Sequence, residues 1–102
     1  MLKIGIIGAG RIGKVHLESI CYHVKNATVV AMADPFMNDE TESFIRSFGV
    51  EKVYKDYKEI INDAEIDAVM VCSSTDTHAP ISIEAINAGK HVFCEKPLGK
   101  YS

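Results

Sequence analysis

The apolar run Leu2-Lys3-Ile4-Gly5-Ile6-Ile7 leads straight into Gly8-Ala9-Gly10-Arg11-Ile12-Gly13, which completes the spacing G-x-G-x-x-G. A helical pattern follows at once, with Ile12, Val15, His16, Ser19 and Ile20 on one face. Strand, glycine turn and helix in that order restrict the chain to a βα unit whose backbone comes close to a dinucleotide pyrophosphate. Each glycine has a mechanical reason. Gly8 lets the chain turn tightly out of the strand, Gly10 removes the Cβ that would hold a phosphate away, and Gly13 lets the helix pack close to the sheet. The free N–H groups of the first helical turn, around Arg11 and Ile12, then face the phosphates with the positive end of the helix dipole.

The rest of the sequence alternates β-branched runs with helical segments. The first strand is expected over 2–7, and the first helix over 11–24. The second strand, Thr28-Val29-Val30-Ala31-Met32-Ala33, is apolar without a break, as a parallel strand buried on both faces should be. Asp34-Pro35 ends it, because proline has no N–H for a ladder. A helix over 39–48 closes at Gly49, a short third strand covers 51–54, and Asp56 caps a brief helix through Ile61. The fourth strand is 66–72, Ser73 to Thr77 reads as a polar turn, a helix runs over 78–88 and a fifth strand over 91–94. Alternating β and α units joined by right-handed crossovers give an α/β doubly wound parallel sheet, with strand order 3-2-1-4-5.

Composition bounds what such a sheet can serve. The chain has 102 residues, enough for one domain with a core of its own. Its formal net charge is −3, with no Lys/Arg cluster on any expected helix, which argues against a nucleic-acid partner. No apolar stretch approaches the roughly 20 residues of a membrane span. The amino end reads as a strand with Lys3 inside it, which argues against a secretory leader. Cys21, Cys72 and Cys94 have no metal or redox spacing and read as reduced core residues of a cytoplasmic protein. No histidine has metal-ligand spacing with a cysteine or acid, so no metal is expected.

In a doubly wound sheet, ligands bind beyond the carboxyl ends of the strands, where strand order reverses. There the first strand places the glycine turn. The second places Asp34, 21 residues beyond Gly13, where a carboxylate accepts both hydroxyls of an adenosine ribose and repels a 2′-phosphate. Pro35 and Phe36 follow, with no arginine to hold such a phosphate, so NAD is expected over NADP. The same aspartate also suits a local turn before proline. After the fourth strand, Ser73, Ser74, Thr75, Asp76, Thr77 and His78 line up at the cofactor edge. They suit ribose contacts, and Asp76 or Thr77 equally suits the cap of the next helix. After the fifth strand comes Glu95-Lys96-Pro97, either a rigid polar tip beside a nicotinamide or a solvated charge pair.

Taken together, Gly8 to Gly13, Ala33-Asp34-Pro35 and the segment Ala88-Gly89-Lys90-His91-Val92-Phe93-Cys94-Glu95-Lys96-Pro97-Leu98 resemble the amino-terminal NAD-binding domain of the Gfo/Idh/MocA oxidoreductases. Val71 to His78 is similar to the inositol 2-dehydrogenase branch of that family. The resemblance implies a Rossmann fold and NAD as cofactor, held by Gly8, Gly10, Arg11, Ile12, Gly13, Asp34, Ser73, Ser74, Thr75, His78, Glu95, Lys96 and Pro97. It implies that Lys96 sits near the reacting carbon and orients substrate and nicotinamide, and that Pro97 is cis. Many members read T-P-N where this chain has Ser74-Thr75-Asp76, a departure that bears on the exact contacts of Thr75 and Asp76 and fits the inositol branch.

The family's acid/base pair belongs to a second domain, and its Rossmann sheet has a sixth strand after Leu98. The chain therefore reads as the cofactor-binding portion of a longer dehydrogenase acting on a small polyol or sugar, truncated before that strand. An edge left at the fifth strand implies self-association, hence a homo-oligomer. A non-catalytic NAD(H)-binding module is the alternative.

Overall fold

The computed structural model describes residues 1–72 and 75–94. Within them the chain runs β1 (Leu2–Ile7), α1 (Arg11–His23), β2 (Ala27–Ala33), α2 (Asp39–Arg46), β3 (Lys52–Tyr54), α3 (Lys58–Ile61), β4 (Ala68–Val71), α4 (Thr75–Asn87) and β5 (His91–Cys94). The five strands pair in parallel in the order β3-β2-β1-β4-β5, as the alternating pattern implied. The reversal of order falls between β1 and β4, and in sheets of this topology ligands bind beyond the carboxyl ends of the strands at such a reversal.

Strand periodicity divides the core in two. Ile4, Ile6, Val29 and Met32 pack with Leu17 and Ile20 of α1 and Ile45 of α2 on one face. Ile7, Ala31, Ala33, Val69 and Val71 pack with Ile60 and Ile61 of α3 and Ile81 and Ala85 of α4 on the other. No charged or polar residue is buried among those described. Gly5 faces α3 so closely that a Cβ there would sit 2.6 Å from Cγ2 of Ile60. The short helix therefore lies almost on the backbone of β1.

Several boundaries differ from the sequence reading for physical reasons. The helix expected over 39–48 ends at Arg46, where the 3₁₀-type bonds Phe48 N–H to Ile45 and Gly49 N–H to Arg46 tighten the last turn before Gly49 at φ +90°. Asp56 does cap α3, accepting the Lys58 N–H at 2.9 Å, but Tyr57 is the residue at the helix boundary. The fourth strand, expected over 66–72, is Ala68–Val71, and the bonds from Asp67 N–H to the Lys3 carbonyl and from Cys72 N–H to the Ile7 carbonyl flank it on either side. The polar turn expected through Thr77 is a correction of another kind. Helix α4 begins at Thr75, three residues before the expected start, with Pro80 inside it. Proline's fixed φ is compatible with helical backbone, so its missing N–H costs one bond near the amino end without forcing the start toward it. Cys21 is another correction, being exposed on α1 with a free thiol; Cys72 is half-buried.

The amino ends of the strands are fastened by charge. Lys52 on the edge strand reaches Asp63 at 2.6 Å and Glu65 at 2.9 Å, while Lys90 donates to the carbonyls of Asp63 and Ile66 at 2.7 and 2.8 Å. The hydrogen bond from Lys52, then that from the Glu65 N–H, holds the Asp63 carboxyl below its ordinary value of 3.8, and Lys52 in turn is raised by Asp63 and Glu65. A depressed carboxyl contributes stability above its unfolded-state pKa and loses it as pH falls through the folded value. The raised lysine contributes fully below its ordinary pKa and loses its share as pH rises through the folded one. Urea unfolding should therefore give stability that is level at neutral pH and declines below about pH 4. Lys52→Met should flatten that acid limb, and an unchanged limb would show that the pair does not couple to folding.

Candidate functional site

The site is built from the turn that joins β1 to α1. Gly8 has φ +104°, a conformation that a side chain would strain, and its N–H bonds to the Ala33 carbonyl at 2.7 Å. A Cβ on Gly13 would fall 1.9 Å from the Gly8 carbonyl oxygen, far inside any contact distance. The close approach that requires glycine at position 13 is thus to the end of β1 itself. Gly10 is different: a Cβ there would meet nothing within 4 Å. Its hydrogen is turned to open space, not toward packed protein. Gly10 occupies the boundary position of α1, with no side-chain cap and no acidic residue in the first turn. An amino end with that composition offers its N–H groups to an anion.

Asp34 closes the other side of the turn. One carboxylate oxygen accepts the Ala9 N–H at 2.7 Å and the other accepts the Phe36 N–H at 2.7 Å. Its backbone N–H bonds to the Tyr54 carbonyl at 3.1 Å, and its carbonyl accepts from Met37 at 3.0 Å. The residue is half-buried. It organises the Pro35 turn and presents a carboxylate beside the glycine loop.

These groups border a cleft of about 740 Å³, lined by Ile7, Gly8 and Gly10 on one side, Ala33 to Phe36 on another, and Cys72 and Ile81 toward α4. Its remaining wall is Lys55, Asp56 and Tyr57, from the end of the edge strand. The Tyr57 hydroxyl donates to Glu84 on α4, a bond that, with burial, pushes its pKa up to about 12 and joins the loop to α4. An open backbone at Gly10, an uncapped helix and a carboxylate lining the same cleft fit the pyrophosphate and adenosine half of a dinucleotide.

Comparison with known proteins is decisive on ancestry. Residues 2–100 match the Gfo/Idh/MocA family described as an oxidoreductase family with an NAD-binding Rossmann fold. The chain belongs to this family. It is 46% identical over 97 residues to the myo-inositol 2-dehydrogenase of Thermotoga maritima, covering 95% of this chain and 28% of that protein. It is 44% identical over 98 residues to the inositol 2-dehydrogenase of Klebsiella pneumoniae, covering 95% of this chain and 29% of that one. The crystal structure of scyllo-inositol dehydrogenase from Lactobacillus casei with bound NAD(H) and scyllo-inositol superposes with a TM-score of 0.86 at 37% identity. That match covers 97% of this chain and 29% of the other. The chain thus spans less than a third of the length of these relatives.

Within the family framework, the structure gathers Gly8, Gly10 and Asp34 around one cleft, with Gly13 buried behind Gly8, and Arg11 exposed and Ile12 half-buried on the first turn of α1. Thr75 and His78 lie on the first turn of α4, at the carboxyl end of β4. Ser73, Ser74, Glu95, Lys96 and Pro97 lie outside the described residues. Sequence reasoning missed the wall from Lys55 to Tyr57. The signal that finds it is register: Ala33 pairs with Tyr54, so Asp34 and Lys55 follow as neighbours at adjacent strand ends.

The two glycines give opposite expectations. Gly13→Ala should destabilise the fold by about 1–3 kcal/mol as an overpacking change. Gly10→Ala, with φ −74° and free space around it, should leave the unfolding midpoint unchanged and weaken dinucleotide binding. Denaturation and calorimetric titration of both variants check this, and equal stability losses would contradict it.

Proposed function

We propose that this chain holds the adenosine and pyrophosphate half of NAD for a dehydrogenase that oxidises a secondary alcohol of a cyclic polyol, with an inositol the favoured substrate. The observation that carries the cofactor half is the arrangement of the Ala9 N–H, the Asp34 carboxylate and the open Gly10 position around one cleft. The inositol assignment rests on the names of the relatives, three of which carry inositol in their titles. NAD supplies the hydride acceptor. The chain's own residues bind and orient. The amides of the first turn of α1 face the pyrophosphate, and the lone pairs that Asp34 keeps beyond its two backbone bonds accept from the ribose hydroxyls. Phe36, 86% exposed at the cleft mouth, offers a ring face to the adenine base. From the family resemblance, Lys96, two residues beyond Cys94 in the sequence, orients the reacting alcohol.

A carboxylate at the ribose also favours NAD over NADP, since it would face the 2′-phosphate as a like charge. Calorimetric titration of the folded chain with NADH tests the reading. Saturable binding is expected, with Asp34→Ala weakening it about tenfold, the size of hydrogen bonds to a charged acceptor. A folded chain that takes up neither NAD nor NADH at millimolar concentration would overturn the assignment.

A further inference from the structure

Position 55 carries a lysine whose place beside Asp34 has a consequence for cofactor choice. The parallel register of β2 and β3 pairs Ala33 with Tyr54, and the Asp34 N–H continues that ladder to the Tyr54 carbonyl at 3.1 Å. The next residues, Asp34 and Lys55, emerge side by side from strands about 4.8 Å apart. Both line the same cleft. Opposite charges so placed would be expected to pair, yet no ion pair joins them among the described residues. Both carboxylate oxygens of Asp34 are instead directed at the N–H groups of Ala9 and Phe36. The other nearby acid, Asp56, turns one oxygen back to the Lys58 N–H at the start of α3. Lys55 is exposed, a cation at the ribose end of the cleft without a fixed anionic partner.

We propose that Lys55 is a specificity-determining residue, a latent cationic partner for the 2′-phosphate of an adenine dinucleotide. Selection of NAD is then a balance in which the Asp34 carboxylate repels the phosphate and Lys55 attracts it. The proposal rests on the assignment of the adenosine ribose to Asp34. It also amends the expectation drawn from Pro35 and Phe36. The cation that would hold a 2′-phosphate does not follow the second strand in sequence; it arrives from the neighbouring strand.

The test is calorimetric titration with NAD and NADP of the native chain, Asp34→Asn, Lys55→Ala and the double variant, with circular dichroism to establish folding. Asp34→Asn should bring NADP binding up toward that of NAD, and adding Lys55→Ala should weaken NADP about tenfold relative to NAD, as the loss of one charge-assisted contact. If Asp34→Asn does not fold, Lys55→Glu and Lys55→Arg in the native background decide. The ratio of NADP to NAD dissociation constants should rise about tenfold with Glu and not with Arg. A ratio that stays within about twofold across the Lys55 variants while NAD still binds overturns the role of Lys55 alone. A folded native chain that binds neither dinucleotide overturns the ribose assignment and this inference together.

Discussion

The carbonyl oxygen of Gly8 occupies the space that any side chain at position 13 would need. That one contact fixes how near α1 lies to the end of β1, and much else depends on it. It brings the first turn of the helix to the edge of the sheet, so that its unshared N–H groups border the cleft and not solvent at a distance. It also sets the position of the Ala9 N–H, which the Asp34 carboxylate holds at 2.7 Å. The turn and the second strand are thereby locked to each other before any ligand arrives. Preorganisation of this kind lowers the ordering cost of binding.

The two ends of the sheet are built by different means. At the amino ends, lysines satisfy carboxylates and carbonyls directly, with Lys52 and Lys90 converging on the loop before β4. Among the described residues at the carboxyl ends, the polar groups include the backbone amides of the glycine turn and the Asp34 carboxylate, which keeps lone pairs to spare, and Lys55 forms no ion pair. The first end consumes its electrostatic capacity in holding the fold together. The second leaves lone pairs of Asp34 and the Lys55 ammonium uncommitted beside the cleft, an asymmetry that supports the placement of a ligand there.

What could be read from sequence was whatever is written locally along the chain. The glycine turn and the place of Asp34 are legible from spacing within one βα unit and the strand order from the alternation of strands and helices; the structure has the order 3-2-1-4-5, a positive φ at Gly8 and the Asp34 carboxylate bonded to the Ala9 N–H of the turn. The start of α4 was not legible, because Ser73-Ser74-Thr75-Asp76-Thr77 has the composition of a turn and of a helix start alike, and the structure has helix from Thr75. The wall from Lys55 to Tyr57 was not legible either. Its membership of the site is decided by lateral register between β2 and β3 and by a hydroxyl bond to Glu84, 27 residues away. Neither leaves a local pattern. The exposure of Cys21 was missed for a related reason: burial on an amphipathic helix depends on which stripe meets the sheet, and Leu17 and Ile20 take that stripe.

A dinucleotide held at the carboxyl ends of β1 and β2 by the backbone of the glycine turn and by Asp34 would perturb the amides of that end of the sheet. The most direct measurement is an amide-resolved NMR titration of the isotope-labelled chain with NADH. Shifts are expected to concentrate at Ala9 to Gly13, Asp34 to Phe36 and Lys55 to Tyr57, with Lys3, Asp67 and His91 at the opposite end of the sheet unmoved. Shifts centred on that opposite end, or none in the glycine turn at saturating NADH, would contradict this placement.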